Sequence, residues 1–97
     1  MARFHVYRLE NELVIDVQAN VLDRLRTRVV VPLVASNSVG SAAARLNPHF
    51  KIDGVPYIMM SEFVATVPVG ELGEEVDDLS LSADAITAAM DFLFQGF

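Results

Sequence analysis

The amino-acid sequence predicts a small protein that is mainly β and ends in one α-helix. Residues 3–69 consist largely of short runs rich in β-branched and aromatic residues, separated by turn signals. Residues 83–94 instead place apolar side chains at the spacing of one helix face. With 97 residues the chain is long enough for one domain, and we therefore expect a single domain over residues 1–97.

The first strands are predicted from alternation and from β-branched content. Arg3–Leu9 and Leu13–Val17 are expected to form a hairpin about a turn at Glu10–Glu12. Arg28–Val34 is almost continuously apolar, which is typical of a strand buried on both faces. Because Pro32 has no N–H to donate, we expect a bulge, a bend or an edge position there.

The middle of the chain carries turn and capping signals. Ser41 is expected to cap a short helix over Ala42–Leu46, which Pro48 ends. Asp53–Gly54 separates two apolar runs and favours a type I′ hairpin turn, since both central residues of that turn have positive φ. A further strand is predicted at Phe63–Val69.

The final helix is predicted over Ala83–Phe94, with Ser82 as its N-cap. Phe92 and Phe94 flank its main apolar stripe, so this end carries more apolar surface than one buried face requires. The stripe itself comprises Ile86, Ala89, Met90, Leu93 and Phe97.

Composition narrows the classes of function. Hydrophobic residues make up 53% of a chain too small to bury a large core, which favours burial against a second copy. The net charge of −6 argues against direct binding to nucleic acid. The chain has no cysteine, and this excludes disulfides, thiolate catalysis and cysteine zinc sites. We see neither a secretion signal nor a membrane-spanning run, and we expect a cytoplasmic protein.

No residue cluster nominates a catalytic or metal site. His5 and His49 lie far apart in the sequence, and we interpret both as ordinary surface or partly buried histidines. Arg24, Arg26 and Arg28 are interpreted as a charged loop edge, with contact to an acidic peptide as the alternative. The acidic run is interpreted as a solvated loop, and it comprises Glu71, Glu74, Glu75, Asp77 and Asp78.

Seven stretches, in chain order, resemble the CcdB-type toxins of bacterial toxin–antitoxin pairs. They are RFHVYR, IDVQANVLD, RVVVPL, YIMM, VATVPV, LGEEVDDLS and the closing FLFQGF. The resemblance covers nearly the whole chain but is poor over residues 34–51. It implies an SH3-like β-barrel with a C-terminal helix, and a homodimer formed through the two C-terminal helices.

The resemblance also implies a function without catalysis, metal or cofactor. Such toxins bind the A subunit of DNA gyrase and trap the gyrase–DNA cleavage complex. A cognate antitoxin neutralises the toxin, and the pair represses its own operator through the DNA-binding domain of the antitoxin. This mode of action does not require the toxin itself to contact DNA, so the acidic charge agrees with it.

The family pattern assigns expected roles to two regions of this sequence. Met90 and Leu93 are expected at the dimer interface. Val21, Leu22 and Arg24 are expected to contact the antitoxin. The expected gyrase-binding residues are Val21, Leu22, Asp91, Phe94, Gln95, Gly96 and Phe97.

The sequence departs from the family at its end. Members that poison gyrase end in Trp-Gly-Ile, whereas this chain has Gln95 and Phe97 at the outer two positions, and Asp91 replaces an asparagine. The loss of a tryptophan removes a typical binding anchor. Two alternatives therefore stay open: a MazF/PemK-type endoribonuclease with the same fold, and a weakened homologue that retains only antitoxin binding.

Overall fold

The computed structural model describes residues 1–38 and 43–96. In this part of the chain, the strands form one curled antiparallel sheet, a half-barrel, and a helix follows it, so the predicted fold class is confirmed. This architecture is consistent with an SH3-like barrel. The strands are β1 (His5–Leu9), β2 (Glu12–Asp16), β3 (Thr27–Ala35), β4 (His49–Ile52), β5 (Val55–Met59), β6 (Ala65–Pro68) and β7 (Glu75–Asp78), and the helix is α1 (Ala83–Gln95).

The long strand β3 lies at the centre of the sheet, whose order is β4-β5-β3-β2-β1-β7. One edge of β3 pairs with β2, and the other edge is shared by β5, opposite residues 33–35, and β6, opposite residues 27–30. Pro32 lies at the changeover, where its carbonyl accepts a hydrogen bond of 2.9 Å from the Met60 N–H. The N and the C=O of a residue in an antiparallel strand point to the same edge of that strand. The N of Pro32 therefore points to the gap between β5 and β6, where no partner strand needs an N–H. The expected interruption is therefore a change of partner within a central strand.

The sheet buries both of its faces. Val31 and Leu33 point into a larger cluster that includes Ile86 and Ala89 of α1. On the opposite face, Val30 packs in a smaller cluster with Tyr7, Val14 and Leu72. The prediction that β3 is buried on both faces is confirmed, and the helix covers only the larger cluster.

Both predicted hairpins are present. Leu9 pairs with Glu12 across a two-residue turn in which Glu10 has a φ of 55°. At the second hairpin, Asp53 and Gly54 have φ values of 53° and 76°, as a type I′ turn requires.

Three predictions for the loops need correction. The strand expected over residues 63–69 is limited to β6, with 3₁₀ turns at Ser61–Phe63 and Val69–Glu71 on either side. The acidic run is not only a loop, because its residues 75–78 form β7, which pairs with β1. Arg28 does not lie on a charged loop edge: its side chain is 1% exposed within the sheet.

The short helix expected after Ser41 is not observed in the described residues. Ser41 and Ala42 themselves lie outside those residues. The following segment makes one turn, closed by a 2.7 Å hydrogen bond from the Asn47 N–H to the Ala43 carbonyl. A helix does not form over so few residues before a proline, because the conformational entropy lost in ordering the first turn exceeds the stabilisation from its single hydrogen bond.

Helix α1 begins and ends close to its predicted limits. Ser82 precedes its first residue, but the Ser82 side chain forms no capping hydrogen bond. The helix ends at Gln95, and Gly96 caps it: the φ of Gly96 is left-handed at 82° and its N–H donates to the Phe92 carbonyl at 2.9 Å. In the described residues no helix is long and apolar enough to cross a membrane.

Candidate functional site

The loop between β2 and β3 exposes apolar side chains. Residues Asn20–Leu22 form a single 3₁₀ turn with no buried member. The side chain of Val21 is 86% exposed and that of Leu22 is 46% exposed, and Leu25 on the next turn is also exposed. An apolar surface of this kind is costly in water and is typical of a site that a partner covers.

Gln18 fixes the position of this loop. Its side-chain amide donates to the Leu22 carbonyl at 2.8 Å, and its side-chain oxygen accepts from the Val29 N–H at 3.1 Å. The backbone N–H of Gln18 donates in turn to a carboxylate oxygen of Asp16 at 2.9 Å. Gln18 is itself buried, so these hydrogen bonds are partly shielded from water and hold Leu22 close to the start of β3.

The carboxylate of Asp16 that accepts from Gln18 also forms a buried ion pair with Arg28. The Nε of Arg28 donates to Oδ2 of Asp16 at 2.7 Å, and Nη2 of Arg28 lies 2.7 Å from the same oxygen. Asp16 is 0% exposed, and burial raises the pKa of its carboxyl above the ordinary value, against the opposing effects of Gln18 and Arg28. The pair lies on the same face of the sheet as the smaller apolar cluster and takes no part in the exposed surface.

The last turns of α1 bring a second set of expected residues to the surface. Asp91, Gln95 and Gly96 are exposed, and the side chain of Phe94 is 70% exposed. Phe97 lies outside the described residues. Since Gly96 adopts a left-handed φ, its identity has a structural reason that is separate from any contact with a partner.

The loop and the helix meet at one groove with a volume of about 340 Å³. Leu22 contributes one wall, and Asp91 and Phe94 contribute another. Expected gyrase-binding residues that are far apart in the sequence are thus brought together. Val21 and Gln95 are exposed but are not among the residues that line the groove.

The two expected dimer residues are neither fully buried nor fully exposed. Met90 packs against the larger core cluster and also lines the groove. Leu93 is half-buried on the same helix. Arg24, expected to contact the antitoxin, is exposed in the loop after Leu22.

Sequence reasoning missed two residues of this site. Gln18 lies in the stretch IDVQANVLD, but no role was predicted for it, because only the folded structure brings its side chain to both Leu22 and Val29. Arg3 was included only in a strand, yet it lines the groove beside Leu22 and Thr87. Its role depends on packing between segments that are distant in the sequence.

Elsewhere the described residues offer little chemistry. His5 of β1 contacts two carboxylates of β7: its Nδ1 lies 2.7 Å from Glu75 Oε1, and its Nε2 lies 3.4 Å from Asp78 Oδ1. His49 is exposed on β4. No group of three or more potential metal ligands occurs in the described part of the chain. A larger cleft of about 500 Å³ lies at the opposite end of β2 and β3, lined by residues that include Arg8, Glu12, Asp53 and Tyr57.

Comparison with known families gives one match that spans nearly the whole chain. The family model described as "CcdB protein" matches residues 3–96. All the residues that line the groove, and the buried Asp16–Arg28 pair, lie inside the matched region.

Proposed function

Since this chain belongs to the CcdB family, whose members are toxins of type II toxin–antitoxin pairs, we propose that it binds the A subunit of DNA gyrase and traps the gyrase–DNA cleavage complex. The family acts as a poison rather than as a catalyst. A poison of this kind occupies a surface of its target, so the quality of one interface determines its potency.

The groove between the β2–β3 loop and α1 is the observation that carries this proposal. It combines an exposed aliphatic residue, Leu22, with an exposed aromatic residue, Phe94, beside the carboxylate of Asp91. Exposed apolar anchors next to a polar group are typical of protein-binding surfaces. The proposed contact surface continues over Val21, Gln95 and Gly96, and we propose a gyrase contact for Phe97 on the family resemblance alone.

Electrostatics favour a protein target over direct DNA binding. The net charge of −6 repels the phosphate backbone, so contact with DNA falls to gyrase or, at the operator, to the antitoxin. We propose that the antitoxin covers the same loop, through Val21, Leu22 and Arg24. An occupant of this loop excludes gyrase by steric overlap, which explains neutralisation without any chemical step.

We propose a homodimer through α1 as the active form. Met90 and Leu93 keep part of their apolar surface exposed, and Phe92, next to Leu93 in the helix, is also partly exposed. Burial of this surface against a second helix stabilises the dimer by roughly 25 cal/mol per Å². Leu93→Asp places a charge in that interface and is expected to shift the protein to the monomer in sedimentation, with its β-sheet circular dichroism retained.

The test of the proposed function uses purified gyrase, plasmid DNA and the purified toxin. We expect linear, protein-linked DNA to accumulate with the wild-type chain and not with Phe94→Ala. Phe63→Ala is the matched control, because Phe63 is a second exposed phenylalanine, 62% exposed, outside the groove. If the wild-type chain does not raise the yield of linear DNA and instead cuts labelled RNA endonucleolytically, the result favours the ribonuclease alternative.

A further inference from the structure

Arg3 is the one cation among the described residues that line the groove, and it forms no ion pair within residues 1–38 and 43–96. The chain has 13 acidic residues and 7 basic ones, yet no carboxylate of the described residues forms an ion pair with Arg3. Its Nε is shielded from solvent and lacks a hydrogen-bond partner in residues 1–38 and 43–96. A shielded donor without an acceptor is costly, and such groups are rare unless something else binds there.

The backbone around Arg3 holds the side chain in place. The Arg3 N–H donates to Oδ1 of Asn20 at 3.0 Å, which ties Arg3 to the exposed loop. The guanidinium carbon lies 4.7 Å from the ring centroid of Phe4, so one flat face of the group is covered and the group is held against that ring.

Phe4 is itself held in an unfavourable conformation. Its φ of 71° is left-handed, which bulky side chains rarely adopt. Two hydrogen bonds maintain it: the Phe4 N–H donates to the Asp16 carbonyl at 2.7 Å, and the Leu79 N–H donates to the Phe4 carbonyl at 2.9 Å. Strain next to a binding surface indicates that the placement of Arg3 is preorganised.

The groove has a second charge, the carboxylate of Asp91, which also forms no ion pair in the part of the chain that the structure describes. Asp91 lines the groove with Arg3, but the two side chains do not form an ion pair. A segment that enters the groove therefore meets a cation, an anion and the apolar side chains of Leu22 and Phe94. Charge complementarity requires an acidic side chain at Arg3, with an apolar side chain beside it.

We propose that Arg3 determines specificity at this groove by binding a carboxylate side chain of the target subunit, next to an apolar side chain packed between Leu22 and Phe94. This inference rests on the proposed function for the identity of the target. The guanidinium fork matches a carboxylate with two parallel hydrogen bonds, a geometry that the single ammonium of lysine does not reproduce.

The first test measures affinity for purified gyrase A subunit by calorimetry. Arg3→Glu is expected to weaken binding by about tenfold or more, and Arg3→Lys is expected to recover part of that loss. Arg26→Glu is the matched control, since it makes the same change in net charge at an exposed arginine outside the groove. Equal losses for Arg3→Glu and Arg26→Glu would show that only net charge matters and would overturn the proposal.

A second test is independent of gyrase. The probes are acetyl-Leu-Glu-Leu-amide and acetyl-Leu-Lys-Leu-amide, titrated into the nitrogen-15-labelled protein. We expect the Glu peptide, and not the Lys peptide, to shift the Arg3 Nε resonance, and we expect Arg3→Gln to abolish the shifts at Asp91 and Phe94. Equal responses to the two peptides, or none, overturn the proposal even if gyrase binds. A Glu-specific response without gyrase binding supports carboxylate recognition and refutes gyrase as the target.

Discussion

The side-chain amide of Gln18 donates a 2.8 Å hydrogen bond to the backbone carbonyl of Leu22, and this bond joins the exposed loop to the buried sheet. The same side chain accepts from the Val29 N–H of β3. The loop thus presents Leu22 from a fixed position although every residue of its 3₁₀ turn is exposed. A fixed position reduces the entropy that a partner loses on binding.

Gln18→Ala is expected to weaken partner binding more than it weakens the fold. Loss of the two side-chain hydrogen bonds lowers the free energy of unfolding by about 1–3 kcal/mol and frees the Leu22 carbonyl. Asn47→Ala is the matched control, since Asn47 is a buried amide that donates to the Met59 carbonyl at 3.1 Å, away from the groove. Urea denaturation and gyrase A affinity are measured on both. Similar affinity losses in the two variants contradict the assigned role of Gln18.

Arg28→Met is expected to lower the free energy of unfolding by about 3–5 kcal/mol, because it leaves the buried carboxylate of Asp16 without its cation. The double variant Asp16→Leu with Arg28→Met removes both charges and is expected to recover a large part of that loss. Urea denaturation of the two single variants and the double variant gives the coupling energy. Additive effects of the two substitutions would be inconsistent with a direct pair.

Asp78→Asn is expected to reduce the dependence of the free energy of unfolding on pH in the acid range. Hydrogen bonds from the Ser80 side chain and N–H, with a smaller contribution from His5, hold the pKa of the Asp78 carboxyl below its ordinary value. Because the pKa of Asp78 is lower in the folded protein than in the unfolded chain, where it is about 3.9, the carboxylate stabilises the fold at pH values above that unfolded value. That stabilisation is lost as the pH falls through the pKa of the folded state.

The check for Asp78 is the urea midpoint measured between neutral pH and the acid limit. The wild-type midpoint is expected to fall more steeply below about pH 4 than that of Asp78→Asn. Asp23→Asn serves as the control, because Asp23 is an exposed carboxylate that forms no ion pair with the described residues. Parallel curves for wild type and Asp78→Asn would refute the assignment.

Gln95→Trp is expected to raise gyrase affinity by roughly 2 kcal/mol or more, since tryptophan supplies the rigid apolar area typical of a hot spot. Gln95 is exposed at the end of α1, so the substitution should leave the unfolding midpoint nearly unchanged. Gyrase A affinity and the yield of linear DNA are measured together. Lys51→Trp, at an exposed position on β4, controls for non-specific adhesion of an added tryptophan.

Local pattern predicted much of the fold. Alternation predicted β1 and β2, the Asp53–Gly54 pair predicted a type I′ turn, and helical spacing predicted α1 with Ile86 and Ala89 inward. Each of these signals depends on residues close together in the chain. The acidic run was misread because β7 depends on pairing with β1, and its own residues carry no strong strand signal.

In the candidate site, too, some residues were identified from the sequence and others depend on contacts between distant segments. Leu22, Asp91 and Phe94 were assigned by resemblance to the family, and the structure places all three on one groove. Arg28 was misread because its partner, Asp16, lies on a neighbouring strand and becomes adjacent only when β2 pairs with β3. Arg3 and Gln18 were missed for a similar reason.

By itself, the sequence determined the mainly β class, the C-terminal helix, the two hairpins and an apolar surplus at the end of the chain. Only the tertiary structure decided that Arg28 is buried against Asp16, that Gln18 anchors the loop, and that Arg3 lines the groove without an ion-pair partner among the described residues. The physical reason is that periodicity reports which side of an element faces inward. The partner that a polar side chain meets is set by strand pairing and packing between distant segments.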